Sequence, residues 1–253
     1  MALFVENKGQ INTTFLEFAP LKIAYSSIFN YLRLLKQSTT MRTAVIIGGT
    51  GLVGKELIAQ LLENPAYSTI HVLLRKTLHI DHPKLQQHLI DFDNMNRFSE
   101  FIKGDDAFCC LGTTMKQAGS REAFYKVDFE YVNNFARLAS QNGIKNFALV
   151  SALGASQQSL FYYSQVKGAI EKAVREKTFQ SIVIVRPSLL IGNRAEKRLG
   201  EDIGIAIENI FKSIIPVKYR GIEASKVANA MIKTLAQNPS GTIILESEQL
   251  QSF

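Results

Sequence analysis

The chain has 253 residues, of which 46% are hydrophobic and 20% are charged, a composition typical of a globular protein. It excludes a disordered chain, a collagen and a disulfide-rich scaffold, and no charge-free apolar stretch reaches the roughly 18 residues of a membrane-spanning helix. The formal net charge of +7 is spread along the chain, so we interpret it as mild attraction for an anionic ligand or as an aid to solubility, and we expect no binding to nucleic acid.

Residues 1–40 form a segment of unclear role ahead of the first predicted strand. Their apolar stretch, residues 15–35, fits an amphipathic helix for a membrane surface or a partner, a targeting segment, or an extension caused by a misplaced start before Met41. We favour the extension or misplaced start, since no motif in the segment supports a function. We expect residues 41–253 to form a single domain.

From residue 43 onwards, short apolar runs alternate with amphipathic stretches. The runs predict strands at 43–48, 69–75, 85–91, 106–112, 146–152, 181–187 and 242–247. The stretches predict helices at 52–63, 121–141, 160–177 and 223–236. This alternation predicts an α/β fold with a doubly wound parallel sheet of the Rossmann type, in the order 3-2-1-4-5-6 with a seventh strand at the edge. Residues 188–222 break the rhythm and predict a small substrate-side cap.

A glycine-rich loop follows the first predicted strand and opens a predicted helix. Gly48, Gly51 and Gly54 have the spacing that allows a tight turn, close approach of a pyrophosphate and close packing of helix on strand. Thr50, Leu52 and Val53 complete the loop, and the helix N-terminus adds free N–H groups for an anion. The loop predicts dinucleotide binding; an ordinary glycine turn is the alternative.

The end of the second predicted strand indicates which dinucleotide is bound. A carboxylate at this position would hold the ribose 2′-hydroxyl of NAD, but the chain has Arg75, whose cation suits the 2′-phosphate of NADP. We therefore expect NADP(H) rather than NAD(H), with a surface arginine as the alternative. After the third strand, Asp91 is a candidate acceptor for the adenine amino group or an ordinary turn residue, and Phe92 is a candidate to flank the ring.

Ser151, Tyr163 and Lys167 are candidate catalytic residues. Tyr163 and Lys167 are four residues apart on one predicted helix, so they share a face, and Ser151 ends the fifth predicted strand at the edge where ligands bind. A nearby ammonium favours the phenolate form of a tyrosine, which then serves as acid or base for a carbonyl or alcohol, while a serine hydroxyl polarises the carbonyl. The alternative is an amphipathic helix with a half-buried tyrosine.

The glycine loop, Ser151 and the YSQVK motif together resemble the short-chain dehydrogenase/reductase superfamily. CCLGTTMKQAG, FYKVDFEYV, SALGAS and RPSLLIGNR are similar to its atypical branch, typified by the Tat-interacting metastasis suppressor and its bacterial relatives, over about residues 41–247. The resemblance implies NADPH binding with an intact serine, tyrosine and lysine, but no substrate. It also places Leu111, Gly112, Thr113 and Pro187 beside the cofactor, and Asp128 where many relatives have asparagine.

The sequence therefore predicts an NADP(H)-dependent oxidoreductase acting on a small carbonyl or alcohol. The alternative is a regulatory protein that senses NADPH without turnover. We expect a small-molecule substrate. We also expect a cytoplasmic location, because two adjacent cysteines are not expected to form a disulfide that stabilises the fold, which fits a reducing compartment. Analogy with the superfamily favours a homodimer. Three further groups of residues could have a function, and each also has an ordinary interpretation. Cys109 and Cys110 are expected to be strand residues rather than reactive thiolates, and His79, His82 and His88 are expected to be loop residues rather than metal ligands. The cations of the predicted cap form either a cationic pocket or a mixed solvated surface; they are Arg194, Lys197, Arg198, Lys212, Lys218 and Arg220.

Overall fold

Seven parallel strands form the central sheet of the protein, whose computed structural model describes residues 41–192 and 216–253. The predictions for residues 1–40 and for Arg194, Lys197, Arg198 and Lys212 fall outside these ranges. The strands are β1 (Arg42–Ile47), β2 (Tyr67–Leu74), β3 (Leu85–Leu89), β4 (Asp106–Cys109), β5 (Asn146–Val150), β6 (Ser181–Arg186) and β9 (Gly241–Glu246). Their order across the sheet, β3-β2-β1-β4-β5-β6-β9, confirms the predicted doubly wound topology.

Helices cover both faces of this sheet. The α-helices are α1 (Leu52–Glu63), α2 (Met115–Ala118), α3 (Arg121–Tyr125), α4 (Val132–Gln141), α5 (Tyr162–Arg175), α6 (Ala224–Ala236) and α7 (Ser247–Leu250). Lys126–Tyr131 is a π-helical turn that joins α3 to α4, and Phe92–Phe101 and Val217–Tyr219 are 3₁₀-helical. Within the described ranges, no helix is both long and apolar enough to cross a membrane.

Two layers of apolar side chains hold the helices on the sheet. Along β1, Ala44 and Ile46 pack on one side with α1 and α6, while Val45 and Ile47 pack on the other side with α4. All four side chains are fully buried, as expected for a parallel strand covered on both faces. This burial explains why β1 has a continuous apolar sequence rather than an alternating one.

Two predicted elements differ from the structure in ways that matter for function. The strand predicted at 106–112 ends at Cys109, so the residues from Leu111 to Thr113 lie in the loop that leaves the sheet. The helix predicted at 121–141 is continuous in direction but contains the π-turn at Lys126–Tyr131. Such turns insert one extra residue and are frequent at functional sites.

The two described ends of the predicted cap pair with each other. Leu190–Ile191 forms β7 and Ile222–Glu223 forms β8, and these two short strands are parallel. The hydroxyl of Ser188 also donates to the carbonyl of Arg220.

A buried polar cluster fastens the opposite, N-terminal edge of the sheet. Asp106 is fully buried and accepts hydrogen bonds from the Tyr67 hydroxyl at 2.6 Å and the Asn146 amide at 2.9 Å, and it pairs with Arg42. Burial raises the pKa of Asp106, and the hydrogen bonds and Arg42 oppose that rise. These contacts link β1, β2, β4 and β5 away from the ligand edge, so we assign them to stability.

Candidate active site

The glycine loop takes the shape that a pyrophosphate site requires. Gly48 has φ of +79°, and a Cβ there would lie 2.3 Å from the backbone of Cys110 on the neighbouring strand end. A Cβ on Gly54 would lie 2.2 Å from the Gly48 carbonyl oxygen. Larger residues at either position would push the loop, α1 and β4 apart. The loop therefore lies directly on the backbone of the sheet, as a dinucleotide fold needs.

The N-terminus of α1 is open to an anion. Gly51 is its N-cap and supplies no side-chain cap, and the first turn contains no acidic residue. Thr50 and Gly51 are exposed and Leu52 is half-buried, whereas the side chain of Val53 is only 4% exposed. Val53 is thus available to a ligand mainly through its backbone. The free N–H groups and the helix dipole fit a pyrophosphate at this end.

The residues predicted for the adenosine end lie beyond β2 and β3. Arg75 follows the last residue of β2 and is exposed, and among the described residues no ion pair or hydrogen bond engages its guanidinium. Asp91 caps the helical segment after β3, accepting from the backbone N–H of Asp93 at 3.0 Å and from the Asn94 amide at 2.6 Å. A free cation at the end of β2 fits a 2′-phosphate, whereas the adenine contact of Asp91 stays a prediction.

The structure corrects the role predicted for Phe92. We expected its ring to flank the adenine, but only 7% of the residue is exposed and it packs in the core with Tyr131 at a ring-centroid distance of 5.5 Å. Phe92 begins the 3₁₀ segment, in which it and Met95 are the buried residues. The geometry therefore gives Phe92 a packing role.

Lys167 is held by a carboxylate of the π-turn. Its Nζ lies 2.7 Å from Oδ1 of Asp128, which is fully buried in the π-turn. The other oxygen of Asp128 accepts from the backbone N–H of Thr113 at 2.8 Å. Burial alone would lower the pKa of Lys167, but Asp128 and, less strongly, Tyr163 reverse the effect, so the net shift is upward. The ammonium therefore stays charged beneath the loop that leaves β4.

Ser151 belongs to a second buried ion network. Its hydroxyl donates to Oε1 of Glu171 at 2.6 Å, and Glu171 is only 1% exposed. Arg186 donates to both oxygens of Glu171, at 2.9 and 2.6 Å, and to Glu246 at 2.7 Å. The hydrogen bonds to Glu171 raise the pKa of Arg186 against the effect of burial. Since a carboxylate can only accept, the Ser151 proton points at Glu171 and the serine offers its lone pairs elsewhere.

Tyr163 lies in the first turn of α5 and is half-buried. Its ring lies 5.4 Å from that of Phe124, and its hydroxyl has no hydrogen-bond partner among residues 41–192 and 216–253. Further along α5, a Cβ on Gly168 would lie 2.7 Å from the Cα of Ser156, so the helix rests directly on the loop after Ser151. This contact brings the serine and the tyrosine helix to the same edge of the sheet.

Strand register shows which segments leave the sheet next to each other. Ile47 of β1 lies opposite Cys109 of β4, so the glycine loop and Leu111 leave the sheet side by side. The backbone N–H of Ser151 donates to the Val185 carbonyl at 2.8 Å, which brings the serine beside the end of β6. Pro187, just beyond β6, is buried and accepts a hydrogen bond from the Leu153 N–H at 3.0 Å.

Sequence reasoning missed Glu171, Arg186 and Gly168 as site residues and left Asp128 without a role. Glu171 follows Lys167 by four residues, as Lys167 follows Tyr163, so a third polar residue on the same helix face was a usable signal. Nothing in the sequence indicated that Arg186 would pair with it.

The cysteines and histidines take no part in the site. Burial raises the pKa of the Cys109 thiol to about 12 and that of Cys110 well above its ordinary value, so neither forms a thiolate near neutrality. His88 is not a loop residue as expected: it lies in β3 with its Nε2 2.9 Å from Nδ1 of His71. Over the described residues, no cluster of three metal-ligating side chains occurs.

Comparison with known proteins decides the family. A family model described as NAD(P)H-binding matches residues 48–238, from the first glycine of the loop to beyond α6. The chain belongs to this NAD(P)H-binding family. Its glycine loop, open α1 N-terminus and the loop after β4 are thus the parts of the fold that would hold the cofactor, and their backbone-lined surfaces fit such a group.

Two relatives extend the match over most of the NAD(P)H-binding domain. Protein HTATIP2 of Rattus norvegicus is 32% identical over 216 residues, covering 83% of this chain and 88% of the relative. A Candida albicans protein named "Protein FMP52, mitochondrial" is 32% identical over 205 residues, covering 78% and 90%. They confirm the resemblance to the atypical short-chain dehydrogenase/reductase branch.

Solved structures share the fold at low sequence identity. MoeE5 in complex with UDP-glucuronic acid and NAD superposes with a TM-score of 0.64 at 15% identity, covering 81% of this chain and 76% of that chain. A short-chain dehydrogenase/reductase superfamily protein from Agrobacterium tumefaciens with bound NAD gives 0.60 at 13% identity, covering 81% and 77%. At such identities the likeness shows the fold alone.

Proposed function

We propose that the protein is an NADP(H)-dependent oxidoreductase that interconverts a small carbonyl compound and its alcohol. The observation that carries the proposal is the hydrogen bond from Ser151 to Glu171, because Glu171 shares a face of α5 with Lys167 and Tyr163 through spacings of four residues. Ligands bind at the carboxyl edge of the sheet in doubly wound folds. The bound cofactor would supply or accept the hydride.

The cofactor roles are divided between the two halves of the sheet. Gly48, Gly51 and Gly54 hold the pyrophosphate through backbone N–H groups. Arg75 holds the 2′-phosphate, and its exposed, unengaged guanidinium supports this role. Gly112, which is exposed in the loop after β4, leaves room for the nicotinamide ribose.

Tyr163 is the acid or base of the proposed reaction. Its hydroxyl is free of other partners within the described ranges, so it can accept a proton from an alcohol or donate one to a carbonyl oxygen. Lys167 lies four residues further along the same helix, on the same face. Ser151 acts chiefly as an acceptor, because its proton is directed to Glu171. An acceptor positions the hydroxyl of an alcohol, so this arrangement favours an alcohol as the bound substrate.

The first test is a titration of the full-length chain with NADPH and with NADH, followed by nicotinamide fluorescence and thermal shift. Binding should raise thermal stability by mass action. We expect NADPH to bind more tightly than NADH, and Arg75→Ala to abolish that preference while leaving NADH binding nearly unchanged. Lys76→Ala, which removes the neighbouring exposed cation, is the matched control and should retain the preference. Failure of the wild type to bind either form would refute the proposal.

Turnover is tested by a screen of small alcohols and carbonyl compounds. Removing the acid or base by Tyr163→Phe should lower kcat by about 10²–10⁴-fold with cofactor affinity retained. Tyr162→Phe, the neighbouring tyrosine whose hydroxyl donates to the Arg121 carbonyl at 3.2 Å, is the control and should keep most of the activity.

A second candidate is a sensor that binds NADPH and regulates a partner without turnover. The engagement of the Ser151 proton by Glu171 favours it, because a carbonyl oxygen would find no donor at Ser151 in this arrangement. Cofactor binding without turnover of any alcohol or carbonyl compound, together with a protein partner that associates only with cofactor present, would support the sensor over the enzyme.

We also propose a cytoplasmic location, with free cysteines suited to a reducing compartment. The fungal relatives carry the word mitochondrial in their names, so subcellular fractionation distinguishes the two locations. A homodimer is proposed by superfamily analogy, and sedimentation measures it.

A further inference from the structure

Asp128 is a fully buried carboxylate that takes part in no step of the proposed reaction. It is 0% exposed, and both of its oxygens are held: Oδ2 by the Thr113 N–H at 2.8 Å and Oδ1 by Lys167 Nζ at 2.7 Å. A carboxylate fixed from two sides keeps its charge in one place. Its effect on any charge that arrives nearby is therefore a permanent property of the site.

Only a glycine separates this ion pair from the cofactor side of the sheet edge. Gly112 is exposed, and a Cβ there would lie 3.1 Å from Oδ1 of Asp128 and 3.4 Å from Nζ of Lys167. In doubly wound folds the β1–β3 half receives the adenosine end, and the β4–β6 half receives the other nucleotide. The pair thus lies on the nicotinamide side.

The buried charges on this side balance. Lys167 and Arg186 are positive, Asp128 and Glu171 are negative, and Glu246 adds a partly exposed negative charge. The nicotinamide ring carries one more positive charge when it is oxidised than when it is reduced. An uncompensated Lys167 would repel the oxidised ring, and Asp128 removes this repulsion.

We propose that Asp128 sets the relative affinity of the site for the oxidised and the reduced nicotinamide cofactor. This inference rests on the proposed cofactor site and deepens it. For a ring within about 10 Å of the carboxylate, Coulomb's law with an effective dielectric constant near 20 gives roughly a tenfold change in relative affinity per unit charge. Tenfold corresponds to about 1.4 kcal/mol, or about 30 mV in the two-electron potential of the bound cofactor.

The test measures the dissociation constants of NADP⁺ and NADPH separately, by calorimetry on the full-length chain. Asp128→Asn should raise the ratio Kd(NADP⁺)/Kd(NADPH) about tenfold, and Lys167→Met should lower it by a similar factor. The double variant, neutral like the wild-type pair, should return near the wild-type ratio. All titrations are made at the same pH, about 8, which lies well above the ordinary pKa of a carboxyl group and well below that of a lysine.

Asp91→Asn is the matched control. It makes the same chemical change on the adenosine half, where the cofactor's charge does not change with oxidation state, so both dissociation constants should shift together. Circular dichroism verifies folding, and if Asp128→Asn does not fold, the opposite shift in Lys167→Met carries the test.

Three results would overturn the inference. The first is a ratio Kd(NADP⁺)/Kd(NADPH) within about twofold of wild type in the single variants that fold, and the second is a shift of this ratio in the same direction in Asp128→Asn and Lys167→Met. The third is a shift of the ratio in Asp91→Asn as large as that in Asp128→Asn. These outcomes differ from failure of the proposed function, in which the wild type binds neither form.

Discussion

Replacing Arg186 by methionine should destabilise the protein strongly, because it leaves a buried carboxylate without its partner. Glu171 is 1% exposed, and the Arg186 side chain is 19% exposed. Removing one partner of a buried ion pair costs about 3–5 kcal/mol, and the partial exposure of Arg186 favours the lower end, about 3 kcal/mol. For a domain of this size that loss lowers Tm by about 6–12 °C.

Urea and thermal unfolding of matched variants measure this effect. Glu246 is the more exposed partner of Arg186, with 36% of its side chain exposed. The variant Glu246→Gln removes only this ion pair and should change the free energy of unfolding by less than about 1 kcal/mol. Arg186→Met combined with Glu171→Leu leaves no buried charge unpaired and should recover most of the loss. An Arg186→Met variant as stable as Glu246→Gln, or a double variant no better than the single one, would refute this reasoning.

Two further predictions concern the glycine loop and the edge of the sheet. Gly54→Ala should weaken NADPH binding at least about tenfold by pushing α1 off the loop, whereas Gly143→Ala, at a positive φ of +80° with open space around it, should cost only about 1 kcal/mol of stability and leave binding intact. Burial lowers the pKa values of His71 and His88, with Lys103 adding to the effect and His88 also lowering that of His71. The unfolded chain then binds more protons than the folded one below about pH 6.5, so the free energy of unfolding should reach its highest value above that pH and decrease as the pH falls below it. In urea titrations, the double variant His71→Leu/His88→Leu should show a smaller decrease. A decrease equal to that of the wild type would contradict the assignment.

The fold was predictable because its central strands, β1 and β4–β6, are buried on both faces. A run such as Ala44–Ile47 has no polar residue, so its length and its closing glycine identify a parallel strand without any knowledge of its neighbours. The glycine loop was predictable for a similar reason, since its function depends on local backbone geometry. Tyr163 and Lys167 share a helix face by spacing alone, and the structure keeps them there.

What sequence reasoning could not provide are contacts between residues far apart in the chain. Ser151 meets Glu171 only because α5 packs back against the loop after β5, and Arg186 reaches Glu171 only because β6 lies next to β5. The π-turn has no sequence signature of its own, so the burial of Asp128 could not be foreseen. Phe92 was misassigned because an aromatic ring beyond a strand looks the same whether it faces a ligand or the core.

The two buried carboxylates fix Lys167 and Ser151 of the candidate site but not Tyr163. Asp128 holds Lys167 from the π-turn, and Glu171, itself held by Arg186, directs the proton of Ser151. Both groups are fixed by charges that would be costly to leave unpaired, so their positions do not depend on a ligand. Tyr163 has no such anchor among the described residues. Of the three, the group that would transfer the proton is therefore the one left to be positioned by cofactor and substrate.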